Sequence, residues 1–199
     1  MKEFWNERYA VEEYVYGKTP NDFFRQFIDK EPPGSLFLAS EGEGRNAVYA
    51  ASRGWNVYAV DYSEVARKKA MLWAKENQVN IHYEVADILD WDADIRVDCI
   101  GLIYAHFHAD TRKNIHEKLL KKLKPGGKVV LEAFSKEQLR FNSGGPKSPD
   151  LLYDSGILRN DFALMNFELL QEKVIDLEEG DFHRGKAGIV QMIAKKHES

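Results

Sequence analysis

Glycines and acids stand at spacings that are typical of a site for a nucleoside-containing ligand. Gly42 and Gly44 follow a short apolar run, and Asp61 ends a second apolar run 17 residues after Gly44. Glycines let the backbone pass close to a bulky ligand, because a Cβ there would clash. An acid at the end of the second strand accepts hydrogen bonds from both hydroxyls of a ribose. The spacing therefore predicts a nucleoside-containing cofactor across the tips of two strands.

The same pattern has a simpler explanation, since many glycine turns between a strand and a helix bind nothing. The placement of Asp61 favours a cofactor site over a purely structural turn. The turn is not a full G-x-G-x-x-G, because Ala47 stands at the third glycine position and Ser40 precedes the pair. It is not a phosphate loop either, because no Gly-Lys-Ser/Thr follows.

Polar residues also follow the later apolar runs. Asp87 ends the third run, where it would lie near the base of a bound nucleoside, although a turn cap explains it equally well. Tyr104, His106 and His108 follow the fourth run. Ligands of open α/β sheets bind outside the carboxyl ends of the strands, so these three side chains are predicted to point toward the chemistry. Two histidines without a third ligand predict no metal site.

Alternating strands and helices must position these residues. The apolar periodicities predict strands at 36–39, 57–60, 81–85, 97–104, 128–133, 166–176 and 186–195, and helices at 46–53, 63–77 and 111–123. The near-continuous apolar character of the fourth strand is typical of a central parallel strand covered on both faces. The short connection 177–185 makes the last two strands an antiparallel hairpin.

Two segments outside this alternation are expected to cover the site. Residues 1–30 are rich in aromatic residues and mostly helical in pattern, and Tyr9 and Tyr16 belong either to the core or to a wall that closes over a ligand. The stretch 134–150 is rich in Ser, Gly and Pro, and a loop this long is usually functional or disordered. We therefore expect a helical cap at residues 1–30 and a lid or substrate-loop insertion at 134–165, within one domain of residues 1–199.

The composition narrows the class of protein. The chain has 199 residues, of which 44% are hydrophobic, enough for a sizeable core. Its net charge of −4 argues against non-specific binding of nucleic acid, which needs a basic face. The single cysteine, Cys99, allows no disulfide within the chain, which fits a reducing compartment. With no apolar signal core and no run of 18 apolar residues, we expect a cytoplasmic protein that does not bind a membrane.

The alternation resembles the class I S-adenosylmethionine-dependent methyltransferases. The resemblance rests on the strand order with its hairpin, the turn Glu41–Gly44, the acids Asp61 and Asp87, and the turn Lys124–Gly127. Within that class the chain is similar to the branch related to tellurite-resistance and thiopurine methyltransferases. The segments that carry this second likeness are 5–9, 16–21, 42–47, 144–147 and 183–187. The likeness covers nearly the whole chain.

The resemblance implies a fold and a cofactor. The fold would be a three-layer, doubly wound, Rossmann-like α/β sheet of about seven strands, mostly parallel, with a C-terminal antiparallel hairpin. The cofactor would be S-adenosylmethionine, with Gly42 and Gly44 under its amino-acid part, Asp61 on the ribose and Asp87 on the adenine amine. The full set of implied cofactor-binding residues is Tyr9, Tyr16, Glu41, Gly42, Gly44, Asn46, Asp61, Tyr62, Asp87, Ile88 and Tyr104.

The implied reaction is methyl transfer to a small molecule, such as a thiol or an oxyanion like tellurite. The candidate catalytic residues are His106, His183 and Arg184. His183 and Arg184 would orient an anionic acceptor, with Arg140 from the loop as a further candidate. His106 would act as a base for a protonated acceptor, because the unperturbed pKa of histidine lies near neutrality.

One departure from the family pattern keeps other functions open. Ser40–Glu41 replaces the usual first glycine, which puts the closest backbone approach to the cofactor in question. A catalytically silent cofactor-binding module is therefore one alternative. A nicotinamide-dependent oxidoreductase is another, although the missing third glycine and the C-terminal hairpin argue against it. The expected partner is a small-molecule acceptor rather than nucleic acid, and the expected state is a monomer or a homodimer.

Overall fold

Seven strands form one mixed sheet in the computed structural model, which describes residues 2–180 and 182–198. The strands are β1 Ser35–Ala39, β2 Asn56–Asp61, β3 His82–Val85, β4 Val97–Ile103, β5 Leu123–Phe134, β6 Met165–Glu178 and β7 Arg184–Lys196. Their spatial order is β3-β2-β1-β4-β5-β7-β6. β1 to β5 pair in parallel, whereas β7 pairs antiparallel with both β5 and β6. The predicted sheet, with its C-terminal hairpin, is confirmed.

Helices cover both faces of the sheet and complete the three layers. They are α1 Lys2–Tyr9, α2 Asp22–Ile28, α3 Arg45–Ser52, α4 Glu64–Glu76, α5 Ala109–Lys122 and α6 Ser155–Asp161. α2, α3 and α4 bury Phe24, Val48 and Ala70 against one face. α5 and α6 bury Leu119 and Leu158 against the other. None of the helices within the described ranges is long and apolar enough to cross a membrane.

The hairpin is longer than the sequence predicts. Of the connection predicted at 177–185, four residues are paired within the ladder, because β6 extends to Glu178 and β7 starts at Arg184. The N–H of Glu179 donates to the carbonyl of His183 at 2.9 Å and closes the turn. The long antiparallel register therefore carries the hairpin tip toward the carboxyl ends of the parallel strands.

The N-terminal segment is tied down over those carboxyl ends. Glu43, in the glycine turn, accepts from the N–H of Val15 at 2.8 Å and from Lys69 Nζ at 2.6 Å. Lys69, on α4, also donates to the carbonyls of Val11 at 2.8 Å and Glu13 at 2.6 Å. One buried carboxylate and one lysine thus join the segment after α1 to the glycine turn and to α4.

The segment between β5 and β6 also packs against the sheet. It contains two 3-10 helices, Lys136–Arg140 and Pro149–Leu151, before α6. Gln138 is buried, and its side chain accepts from the N–H of Gly188 in β7 at 2.9 Å and donates to the carbonyl of Gly144 at 2.9 Å. The structure thus seats the stretch predicted as a lid on the hairpin.

Candidate active site

A cavity of about 370 Å³ lies at the carboxyl ends of the parallel strands, beneath the N-terminal segment. Most of the residues expected to bind the cofactor or to act in catalysis line it. These are Tyr9, Tyr16, Glu41, Gly42, Asn46, Asp61, Tyr62, Ile88, Tyr104, His106 and His183. Gly44, Asp87 and Arg184 do not line it.

The glycine turn keeps the tight backbone that its departure from the pattern had put in question. Ser40 adopts φ +55°, in the left-handed region that normally favours glycine. This conformation costs a non-glycine residue on the order of 1 kcal/mol. Gly42 follows at φ +64°, and a Cβ there would lie 2.8 Å from the Tyr9 hydroxyl. Serine therefore carries the strain, and the path of the chain is preserved.

Gly44 serves packing rather than the ligand. It stands at the N-cap of α3 with φ +88°, and a Cβ there would lie 2.6 Å from the Cβ of Ala70. The missing side chain lets α3 lie against α4. Of the two glycines, Gly42 borders the cavity and Gly44 does not.

The Glu41 carboxylate occupies the start of α3. Its Oε1 accepts from the N–H of Ala47 at 2.7 Å, so this helix N-terminus, expected to be open to a ligand, is capped from within the chain. Burial raises the pKa of Glu41 to about 8, although hydrogen bonds from the α3 backbone oppose the shift. Glu41 still borders the cavity and places an acid at its floor.

Asp61 braces the same turn from the end of β2. Its Oδ2 accepts from the N–H of Gly42 at 2.9 Å and its Oδ1 from the N–H of Ser63 at 3.0 Å. Burial raises the pKa of Asp61, while these backbone hydrogen bonds oppose the rise. A carboxylate has about four acceptor positions, so Asp61 keeps capacity for a ligand on its cavity side.

Asp87 lies beside the cavity wall rather than in it. Its Oδ1 accepts from the N–H of Leu89 at 2.8 Å and from the hydroxyl of Tyr62 at 3.2 Å. The first contact is the turn cap that the sequence allowed as an alternative. The second orients Tyr62, whose pKa is raised to about 12 by burial and by Asp87. Tyr62, Ile88 and Leu89 are the residues of this region that line the cavity.

Aromatic rings close the cavity from the N-terminal side. Tyr9 is buried and stacks on Trp5, with ring centroids 5.6 Å apart. Tyr16 meets Tyr9 edge-on at 6.4 Å and approaches His183 at 4.6 Å. Of the two alternatives left open for Tyr9 and Tyr16, the structure supports a wall over the site, and Tyr9 is also part of a small buried cluster.

His183 sits in a cage of aromatic rings at the hairpin tip. Its ring lies 4.7 Å from Tyr104 and 5.1 Å from Phe134, in addition to the contact with Tyr16. Its Nδ1 lies 3.5 Å from Glu179 Oε2 but has no well-formed hydrogen bond among the described residues. Burial lowers the pKa of His183, so its imidazole is neutral at neutral pH.

Glu179 is held by a buried ion pair. Arg45 Nη2 donates to Glu179 Oε2 at 2.8 Å, and both side chains are largely buried. Burial raises the pKa of Glu179, but His183 and Arg45 outweigh this and lower it to about 2. This pair joins α3, below the glycine turn, to the hairpin tip.

Both ring nitrogens of His106, the residue that the sequence suggested as a base, contact backbone groups. Its Nδ1 donates to the carbonyl of Leu151 at 2.7 Å, and its Nε2 accepts from the N–H of Phe134 at 3.4 Å. Burial lowers the pKa of His106 to about 4. Because both ring nitrogens hold backbone groups, His106 fixes the segment after β5 to the tip of β4.

The cationic residues expected to grip an oxyanion lie outside the cavity. Arg184 is exposed, and Arg140 pairs with Glu137 on the surface at 2.5 Å. His108 borders the cavity but is exposed and pairs with Asp150 at 3.0 Å. Only part of the predicted catalytic set is therefore brought together.

Arg8 borders the cavity, although sequence reasoning did not select it. Its guanidinium lies 4.4 Å from the Phe182 ring centroid and 4.9 Å from that of Phe4, and it donates to the Tyr16 hydroxyl at 3.3 Å. No carboxylate in the described ranges pairs with it. The feature of the sequence that could have identified Arg8 is its position among the aromatic residues of the first helix.

Comparison with known proteins identifies the domain. Residues 39–127, which contain the glycine turn and the ends of β2, β3 and β4, match the family model described as a methyltransferase domain. The match covers somewhat less than half of the 199-residue chain and indicates similarity to methyltransferase domains. S-adenosylmethionine, which the resemblance implied, is the cofactor that this match supports.

Individual curated relatives are also methyltransferases, at low sequence identity. The chain is 27% identical over 103 residues to a ubiquinone biosynthesis O-methyltransferase of Rickettsia conorii. That match covers 52% of this chain and 36% of the relative, so it spans about a third of the curated relative's length.

Solved structures share the fold of the methyltransferase domain. TehB from Haemophilus influenzae superposes with a TM-score of 0.74 at 16% identity, covering 98% of this chain and 66% of TehB. The N-methyltransferase NodS from Bradyrhizobium japonicum, in complex with S-adenosyl-L-homocysteine, superposes with a TM-score of 0.73 at 12% identity, covering 98% and 97%. At these identities the likeness establishes the fold alone.

Proposed function

We propose that the chain is an S-adenosylmethionine-dependent methyltransferase that acts on a small molecule. The observation that carries the proposal is one cavity shared by two sets of residues. Gly42, Asp61 and Ile88 stand at the ends of β1, β2 and β3, while Tyr104 and His183 stand beyond β4 and at the hairpin. A cofactor and an acceptor can therefore meet in one enclosed space.

The residues of the first set fit the chemistry of S-adenosylmethionine. Asp61 offers free acceptor positions to ribose hydroxyls, and Ile88 with Tyr62 offers an apolar wall to an adenine ring. Arg8 carries a cation suited to the carboxylate of the cofactor's amino-acid end. Gly42, without a Cβ, lets the Tyr9 hydroxyl lie against the turn at the edge of the cavity. Asp87 would act through Tyr62, which it orients.

When bound, S-adenosylmethionine supplies an electrophilic methyl group on a positively charged sulfur. Tyr16 and Tyr104 border the cavity with aromatic rings, which attract cations through their faces. Asp61 adds a carboxylate to the same wall, and Glu41 adds a buried carboxyl group whose pKa is raised to about 8. The rings and the N-terminal segment exclude water, so that the chain's main contribution is to hold donor and acceptor in line.

We assign the role of proton acceptor to His183. Burial lowers its pKa and keeps the imidazole neutral, and because its Nδ1 is buried beside Glu179, Nε2 is the ring nitrogen left to take up a proton. The Glu179 carboxylate, 3.5 Å away, would stabilise the imidazolium that forms. This replaces the assignment of His106 as base, and it leaves Arg184 without a contact in the cavity.

Calorimetric titration with S-adenosylhomocysteine tests the proposal. We expect Asp61→Asn to weaken binding by about 10- to 100-fold, because charge-assisted hydrogen bonds contribute about 1.5–3 kcal/mol. Asp94→Ala, which changes an exposed acid outside the cavity, should bind like the wild type. If wild-type protein shows no measurable binding, or if both variants bind equally, the proposal fails.

The silent cofactor-binding module gains no support from the turn, because Ser40 preserves the backbone that glycine would adopt. Release of S-adenosylhomocysteine with a panel of acceptors separates it from an active enzyme. We propose a small-molecule acceptor as the partner, without nucleic acid or membrane, and a monomer or homodimer as the assembly.

A further inference from the structure

The cavity has two parts with different chemistry. The part below the glycine turn, at the ends of β1, β2 and β3, contains Glu41, Asp61 and Tyr62. The second part lies beyond Tyr104, between the tips of β4 and β5 and the segment that follows β5. It is lined by Phe107, Ile115, Phe134, Pro146 and Leu151, and we call it the apolar chamber.

The polar atoms around the apolar chamber are already engaged. Both ring nitrogens of His106 hold backbone groups. The hydroxyl of Tyr104 donates to Glu132 at 3.0 Å, away from the chamber. Thr111 donates its hydroxyl to the carbonyl of His108 at 3.2 Å. The chamber thus offers an incoming molecule apolar contact and few free hydrogen-bonding groups.

No cation within the described residues is placed to neutralise an anion in the chamber. Arg45 is committed to Glu179, and Arg140 and Arg184 do not line the cavity. Arg8 borders the same cavity but is not a residue of the apolar chamber; its guanidinium lies among the rings of Phe4 and Phe182 and donates to the Tyr16 hydroxyl. A buried, unpaired anion is strongly disfavoured, since its lost hydration is not replaced.

We infer that the methyl acceptor is an uncharged, largely apolar molecule that carries one weakly acidic S–H or O–H group, rather than an oxyanion. This inference rests on the proposed function and adds its substrate class. The Phe107, Ile115 and Leu151 side chains contact the apolar part of the acceptor. The acceptor's reacting atom points toward His183, between the rings of Tyr104 and Phe134.

The reaction balances with the groups in place. The acceptor atom forms a bond to the methyl carbon, and the carbon–sulfur bond of the donor breaks with its electron pair remaining on sulfur. The acceptor's proton passes to the neutral His183 imidazole. The products are the methylated acceptor, S-adenosylhomocysteine and one proton, which is later released to water.

Binding to the complex with S-adenosylhomocysteine tests the inference without turnover. The probes are benzyl mercaptan, which is neutral at pH 7, its 4-carboxylate analogue, and tellurite, each titrated by calorimetry. We expect benzyl mercaptan to bind about tenfold more tightly than the carboxylate analogue, or better. A tenfold preference corresponds to about 1.4 kcal/mol, and burying an unpaired charge costs more free energy than that. Equal or tighter binding of the carboxylate analogue or of tellurite overturns the inference, as does the absence of benzyl mercaptan binding.

A variant that places a positive charge in the apolar chamber provides a second test of the substrate class. Leu151→Arg should reverse the preference toward the carboxylate analogue, because it supplies the missing cation. Leu139→Arg is the matched control, since Leu139 is an exposed leucine outside the cavity, and it should leave the wild-type preference unchanged. Both variants should retain binding of S-adenosylhomocysteine. If the wild type does not bind S-adenosylhomocysteine, the proposed function itself is refuted. If Leu151→Arg binds S-adenosylhomocysteine but keeps the wild-type preference for benzyl mercaptan, only the substrate class is refuted.

Discussion

Single residues set the local structure of the glycine turn. Ser40 adopts a left-handed backbone conformation, and Glu41 accepts a hydrogen bond from the first turn of α3. The left-handed conformation of Ser40 stores strain in the turn. Glu41 caps the start of α3 from within the chain, and burial raises its pKa. The conformation of the turn is therefore determined at the level of single residues.

Glu41 gives stability a pH dependence with a defined sign. Because its pKa rises from 4.5 to about 8 on folding, the folded state favours the protonated form. The stabilisation is complete below the unfolded pKa of 4.5 and is lost as pH rises toward 8, with each pKa unit corresponding to about 1.4 kcal/mol. Glu41→Gln mimics the protonated carboxyl, so the difference in unfolding free energy, wild type minus variant, should fall between pH 5 and pH 8.5.

Urea unfolding at several pH values measures this difference. Glu117→Gln, which changes an exposed glutamate on α5, is the control and should give a difference that is flat with pH. A flat difference for Glu41→Gln as well would contradict the assignment.

Elements are held together at the site by a few buried polar links. The N-terminal segment crosses the mouth of the cavity, and it is attached there by Glu43 and Lys69 rather than by an extensive apolar face. The segment after β5 is linked through Gln138 and His106, in addition to its buried residues Leu152 and Tyr153. The N-terminal cover can therefore be loosened by changing one side chain.

Lys69→Met should loosen the N-terminal cover. It leaves the Glu43 carboxylate buried without its cation and frees the carbonyls of Tyr9, Val11 and Glu13, at a cost of about 1–3 kcal/mol. We expect faster hydrogen exchange in residues 11–16, measured by mass spectrometry. The exchange rate of β4 should stay the same as in the wild type. Lys18→Met is the matched control, because its pair with Glu76 is on the surface. Equal exchange in both variants would contradict the role of Lys69.

The whole molecule depends on contacts that join the glycine-turn half of the sheet to the hairpin half. The Arg45–Glu179 pair spans 134 positions of sequence and links α3 to the end of β6. Asn21 reinforces it by donating to Glu179 at 2.9 Å and to Glu132 at 2.6 Å. The two parts of the cavity keep their relative placement through this network.

Removing Arg45 should therefore be costly. Arg45→Met leaves a buried Glu179 unpaired, which typically costs about 3–5 kcal/mol. In the double variant Arg45→Met/Glu179→Gln the charge is removed as well, so the loss should be smaller than in Arg45→Met alone. Denaturant unfolding of both variants measures this. A double variant that is less stable than Arg45→Met would show that the ion pair is not the source of the loss.

Local patterns in the sequence determined the secondary structure and the cofactor-type site. Apolar periodicity predicted the five parallel strands and the three helices between them, and the spacing of Gly42 to Asp61 predicted where a nucleoside would lie, because both depend on residues close in sequence. Only the tertiary structure decided the roles of the side chains. His106 is bound by Leu151, 45 positions away, and the long register of the hairpin leaves Arg184 exposed while His183 enters the cavity. Hydrogen-bond partners and burial come from distant segments, and they set which groups are charged, free or occupied.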